Sequence, residues 1–165
     1  IYYIFSIVYS IYLVYLVLGI YQMQDVVCGV MMDSTGNERR ILMGRRRDEN
    51  NVWEFPGGKR EEGETLEECL KREWLEELNL DIAVGRLIHT RNFHGFRCYF
   101  FIGSIHNLST MRALVHDQVG LFSVSAARSL HMFEGDDAVL DALQPEDISA
   151  NLLSSTKVQS IRKAS

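Results

Sequence analysis

Apolar positions along this chain fall into three patterns. The first is strand-like. Residues 26–32 (Val-Val-Cys-Gly-Val-Met-Met) form an apolar run closed by Asp33-Ser-Thr-Gly-Asn37, which predicts a central strand followed by a turn. Residues 41–44 are expected to pair back as a second strand. Residues 81–89 and 97–105 read as two more, joined through Asn92-Phe-His-Gly95, and residues 120–124 as a weaker one. The second pattern is helical. Leu66, Leu70, Trp74 and Leu78 recur at helical spacing, and Thr65-Leu-Glu-Glu68 has the form of a capping box, so a helix is predicted over residues 66–78. Shorter helices are expected over 125–130 and over 136–143, the latter opening on acidic residues as helix N-termini prefer. Strands and helices together predict an α/β domain over residues 23–144.

The third pattern is unlike the rest. Residues 1–21 carry no charge and hold six of the seven tyrosines, over a length that matches a bilayer-spanning helix. They lack a basic flank and a small-residue cleavage motif, which argues against a secretory leader. Two readings of residues 1–22 stand: a membrane anchor, or spurious upstream sequence ahead of a true start at Met23. The second is slightly favoured, because the domain needs nothing before Met23. From Gln144 onward, Pro145, polar residues and a basic end predict a flexible tail over 145–165. No internal repeat is visible.

Charge changes the picture most at one place. The chain reads Trp53-Glu-Phe-Pro-Gly-Gly-Lys59, then Glu64, then Arg72-Glu73-Trp74-Leu75-Glu76-Glu77. At average usage, the six positions Gly58, Glu64, Arg72, Glu73, Glu76 and Glu77 at these offsets arise by accident on the order of once in 10⁵ chains of this length. Glu73, Glu76 and Glu77 are three and four residues apart, so they crowd onto one face of the predicted helix. Like charges so close destabilise a helix unless a cation sits among them. Oxygen-only ligands suit a hard divalent ion, and Mg²⁺ is the usual choice where phosphates complete its shell. Arg72 can brace the cluster from the side.

These residues resemble the box of the Nudix hydrolase superfamily, and Trp53-Glu-Phe-Pro-Gly-Gly-Lys59 is similar to its MutT-like branch. The resemblance is strong over residues 25–80 and continues more thinly to about residue 143. It implies an α/β/α sandwich around a mixed sheet and Mg²⁺-dependent hydrolysis of a (d)NTP, an oxidised one such as 8-oxo-dGTP included, to the NMP and pyrophosphate. Mn²⁺ would be a possible substitute. It also implies that Glu73, Glu76 and Glu77 ligate metal with the Gly57 carbonyl, and that Arg72 and Glu64 support them. Substrate contacts are implied for Arg46, Phe55, Phe93 and Asp136. Ordinary core packing competes for Phe55, and a plain helix N-cap for Asp136. An Asp at that position accepts hydrogen bonds from a purine or a cytosine alike, so the base stays open.

Three departures bear on the resemblance. Asn79 stands where Gly is usual, and still permits a left-handed helix exit. Trp74 fills a slot usually given to a smaller aliphatic. A late-loop Glu that many relatives carry is missing from Val115-His116-Asp117-Gln118, where Asp117 is the nearest carboxylate. Two rivals therefore remain: a non-catalytic nucleotide-sensing module, and a hydrolase of another diphosphate such as ADP-ribose or a dinucleoside polyphosphate.

At 165 residues the chain suffices for one domain with a core. A net charge of −5 with no dense basic stripe argues against a nucleic-acid polymer as partner; a small nucleotide is the partner that the resemblance implies. Arg45-Arg46-Arg47 reads equally as a strand end near phosphate or as a solvated patch. Cys28, Cys69 and Cys98 lack metal-ligand spacing, and Cys28 and Cys98 lie in apolar strand-like runs as small buried residues of a reducing, cytoplasmic compartment. The five histidines are scattered and are expected on surfaces or loops. A monomer or homodimer is expected, with membrane contact only if residues 1–21 are an authentic anchor.

Overall fold

The computed structural model describes residues 23–33, 39–46 and 51–148. Its framework is a seven-stranded mixed sheet. The strands are β1 (Gln24–Asp33), β2 (Arg40–Arg45), β3 (Trp53–Glu54), β4 (Gly57–Lys59), β5 (Ile82–Phe93), β6 (Phe96–Ile105) and β7 (Gln118–Phe122). The main path runs β3-β2-β1-β6-β5, with β4 on β1 and β7 on β2. β1 and β6 are parallel over nine pairs from Gln24↔Phe96 to Met32↔Ser104, and the other pairings are antiparallel. The helices are α1 (Leu66–Leu78), α2 (Val124–Ala127), α3 (Asp137–Asp141) and α4 (Pro145–Ile148).

Strand alternation builds two cores, one on each face. Val30 and Met32 of β1, Ile41 and Met43 of β2, and Cys98, Phe100 and Ile102 of β6 face Ala127, Val139, Leu140 and Leu143 of the short helices and their flanks. Val27, Met31 and Leu42 face the other way, against Cys69, Leu70, Trp74 and Leu78 of α1. Helices therefore cover both faces, which is the expected α/β sandwich. The continuous apolar run of β1 follows from its burial on both sides.

α1 has the predicted bounds. Thr65 accepts the Glu68 N–H and Glu68 accepts the Thr65 N–H, so the capping box is complete, and Asn79 takes the left-handed exit at φ 54°. β5 runs four residues past its expected end, to a tight turn in which His94 and Gly95 both have positive φ. The motif's approach holds more structure than its turn-like sequence predicts. β1 pairs β2 at Met32 and Asp33 but pairs β4 at Val26–Cys28, while β2 pairs β3 at Gly44 and Arg45. Residues 53–59 thus wedge into the fork where β1 and β2 part. The wedge needs its glycine: a Cβ on Gly57 would strike the Val27 carbonyl.

The first four residues of the expected tail carry structure. Pro145–Ile148 make one helical turn, because Asp147 is buried and its carboxylate takes Arg86 at 2.5 Å and the Gln144 N–H at 2.8 Å. Residues 1–22, and the rest of the expected tail from 149 to 165, lie outside the described residues. Among the described residues no helix is long and apolar enough to cross a membrane.

Candidate active site

The wedge and α1 together place the acidic residues. Arg72 is their hub. Its Nε and one terminal nitrogen grip Glu64 at 2.6 and 3.1 Å, and the other terminal nitrogen reaches Glu73 at 2.9 Å and Glu76 at 3.1 Å. It also donates to the Lys59 carbonyl at 3.1 Å, tying helix to turn. The Arg72 hydrogen bonds hold the Glu64 carboxyl down at about 2, helped by the Glu61 N–H. Gly58 lies bare against the Glu73 carboxylate, where a Cβ would not fit. Trp74 is buried and donates its ring N–H to the Pro56 carbonyl at 3.0 Å, fixing the wedge over the helix.

Glu77 differs from its neighbours. Burial pushes its carboxyl up to about 7; His116 opposes this, Glu73 and Glu54 add to it, and a bond from the Gly57 N–H opposes it. One of its oxygens is buried with no hydrogen-bond partner. Such an orphaned oxygen is costly unless a cation or a donor completes it. The donor set of three carboxylates and a turn carbonyl, all oxygen, fits a hard divalent cation. As the side chains stand, no three His, Cys, Asp or Glu groups among the described residues converge into a metal cluster. Arg72 is bonded to Glu73 and Glu76 instead, and Glu76 is 60% exposed.

Beside Glu77 opens a cavity of about 580 Å³. It collects Gly57, Gly58 and Lys59 from the wedge, Arg46 and Glu54 from the neighbouring strands, and Asp136, Arg91, Phe93 and Phe133 from around the β5–β6 hairpin and the loop before α3. Asp136 is 4% exposed, accepting the Phe55 N–H at 3.4 Å and Arg91 at 3.3 Å. Burial raises its carboxyl to about 7, against the pull of Arg91 and the Phe55 N–H. The Arg91 guanidinium lies 5.0 Å from the Phe93 ring centre and 5.9 Å from that of Phe133, and the two rings meet edge to face at 5.4 Å. A planar base can stack on such rings while polar atoms read its edge.

The structure brings Gly57, Glu77, Arg46, Phe55, Phe93 and Asp136 to one cavity, while Glu64, Arg72, Glu73 and Glu76 do not line it. Phe55 is 3% exposed and packs edge-on to Phe100 at 6.1 Å, as core packing asks, and it also lines the cavity. Asp136 stands at the N-cap of α3 but makes no capping bond, since its side chain turns into the cavity. Of the arginine run, Arg45 binds Asp117 through two bonds of 3.0 and 2.6 Å, Arg46 binds Glu54 at 2.7 Å, and Arg47 lies outside the described residues. Asp117 is thereby held on Arg45 rather than in the cavity. The late loop contributes His116 instead: this histidine lies in a loop, one of the two places expected, but it is 2% exposed because its ring packs on Gly44. Arg91, Phe133, Glu54 and His116 were not singled out by the sequence reading. Of these, Glu54 had a signal, its place inside the recognised motif. The three cysteines are free thiols; Cys69 and Cys98 are buried, and Cys28 is half-buried on the cavity wall.

Residues 23–142 match the sequence profile of the NUDIX domain family. An 8-oxo-dGTP diphosphatase of Proteus vulgaris is 35% identical over 65 residues, which are 39% of this chain and 58% of that protein. An RNA pyrophosphohydrolase of Campylobacter jejuni is 37% identical over 57 residues, 34% of this chain and 36% of that one. The chain thus spans less than two thirds of the length of either relative. The solution structure of the E. coli ORF135 protein superposes with a TM-score of 0.61 at 27% identity, covering 75% of this chain and 90% of that one.

Proposed function

The chain belongs to the NUDIX domain family, and on that premise we propose that it is a hydrolase that splits a nucleoside triphosphate, oxidised forms such as 8-oxo-dGTP included, into the NMP and pyrophosphate. The observation that carries this reading is the cavity. It joins an orphaned Glu77 oxygen, beside the Gly57–Lys59 turn, to a buried Asp136–Arg91 pair set among aromatic rings. Phosphates and a base ask for those two environments.

Glu73, Glu76, Glu77 and the Gly57 carbonyl would hold the divalent cation, Mg²⁺ with Mn²⁺ as a substitute. When bound, it supplies charge neutralisation for the phosphates and activation of water. The protein's own part is positioning and charge. Arg72 keeps Glu64 ionised and holds both Glu64 and Glu73 in place. Lys59 and Arg46 offer cationic groups to the phosphates. Phe93 and Phe133 give stacking faces, and Asp136 with Arg91 presents an acceptor beside a donor to the base edge. The partner is a small nucleotide.

Chromatographic product analysis over a panel of normal and oxidised (d)NTPs, ADP-ribose, dinucleoside polyphosphates and 5′-triphosphorylated RNA tests the reading, which expects NMP and pyrophosphate from a (d)NTP and no comparable turnover of the other substrates. Glu77→Gln is expected to lower turnover about 10²–10³-fold with the fold intact by circular dichroism. Wild-type turnover in that variant would sink the assignment, and binding without hydrolysis of any substrate would favour a sensing module.

A further inference from the structure

His116 makes a connection that no local pattern announces. Gly44 in β2 pairs with Glu54 in β3 on one edge and with Val119 in β7 on the other. Its missing side chain leaves the space that the imidazole of His116 fills. From there His116 Nε2 lies 3.4 Å from one Glu54 oxygen, within ion-pairing reach. The other Glu54 oxygen accepts Arg46 Nε at 2.7 Å. That bond leaves the terminal nitrogens of Arg46 available to an anionic ligand, and its guanidinium stands 5.1 Å from the Phe133 ring centre. His116, Glu54, Arg46 and Phe133 all line the cavity. Glu54 is therefore held at both oxygens, by groups from two separate segments of the chain.

The arrangement has a physical purpose. Glu54 and Glu77 line the same cavity. Released from His116, the Glu54 side chain would be free to turn, and Arg46 would lose its fixed partner. We propose that His116 is a positioning residue that acts through Glu54 to hold Arg46 against the phosphates of the substrate. The role rests on the nucleotide-hydrolase reading above.

The test compares wild type with His116→Ala, His116→Gln, Arg46→Ala and the double variant His116→Ala/Arg46→Ala. Two measurements are taken: steady-state pyrophosphate release, and calorimetric affinity for a nucleoside triphosphate with a non-hydrolysable α,β linkage. His116→Ala is expected to raise KM and Kd about tenfold, the loss of one charge-assisted hydrogen bond, with kcat within about threefold. His116→Gln, whose amide still donates to Glu54, should restore both to within about threefold of wild type. In the Arg46→Ala background His116→Ala should add nothing, because the effect passes through Arg46. Unchanged KM and Kd in His116→Ala, no rescue by Gln, or additive losses in the double variant would each overturn the proposal. If His116→Ala fails to fold, Glu54→Gln serves in its place: it keeps the shape and weakens both bonds, and an unchanged KM and Kd there overturns the role. A wild type that binds the analogue in an Arg46- and His116-dependent way but releases no pyrophosphate would sink the hydrolase reading and leave the positioning role standing.

Discussion

Asp136 is a carboxylate that ionises reluctantly. Its folded-state value of about 7 stands above the ordinary 3.8, with burial as the main cause. The proton is thus held more tightly folded than unfolded. Its contribution to stability is full below about pH 4 and is lost as pH rises through about 7. Asp136→Asn removes that dependence. The melting temperature of the variant relative to wild type is expected to climb between pH 5 and pH 8, and a gap that stays constant would show that Asp136 does not titrate there. The groups facing it argue for a functional reason to bear this cost. Arg91 donates to it from β5, to the Glu134 carbonyl as well, and a Cβ on Gly135 would strike the same guanidinium. The loop before α3 is built around one arginine–carboxylate pair.

At the scale of elements, α1 is the piece whose local chemistry is most complete. Its start is fixed by the reciprocal bonds of Thr65 and Glu68, its end by the left-handed Asn79, whose amide also donates to the Thr110 carbonyl at 2.8 Å. Between them Cys69, Leu70, Trp74 and Leu78 bury one face, while the other carries the acidic residues. Thr65→Ala removes the side-chain half of the box and is expected to cost about 1 kcal/mol, a fall of a few degrees in melting temperature. An unchanged melting temperature would mean that packing of Trp74 and Leu70 alone holds the first turn. The strands tell a similar story where apolar runs are long. β1, β2 and β6 lie where continuous or alternating apolar residues predict them, because burial on the sheet demands those residues.

For the whole molecule, the fork between β1 and β2 is the organising feature. It lets one segment of seven residues join both strands, pin Trp74, and present its backbone to Glu77 and Glu73. A divalent cation held by that segment and α1 would bind the folded chain and not the unfolded one. Adding Mg²⁺ at about 100 times its Kd is then expected to stabilise by about 2.7 kcal/mol, seen as a rise in melting temperature that a chelator reverses. Glu77→Gln should shrink the rise. A melting temperature indifferent to Mg²⁺ in wild type would remove the cation site from this reading.

The sequence by itself determined what is local. The capping box, the helical apolar stripe, the acidic face beside a glycine turn and the buried strands each follow from the conformation or burial of neighbouring residues, so a few adjacent letters suffice to predict them. The wedge at 53–59 was legible as a motif but not as two strands, since pairs of two and three residues carry no period. The helical turn at Pro145–Ile148 was not legible, because it depends on Asp147 meeting Arg86, sixty-one residues away. Only the tertiary structure decided which titratable groups share the cavity. His116 stands 72 positions from Gly44, and nothing in Val115-His116-Asp117-Gln118 says which side chain turns inward. The fold turns His116 in, because Gly44 leaves it room and Glu54 meets it, and pairs Asp117 with Arg45 instead. Arg91 and Phe133 are brought together in the same way, across a separation in sequence that only sheet and loop packing closes.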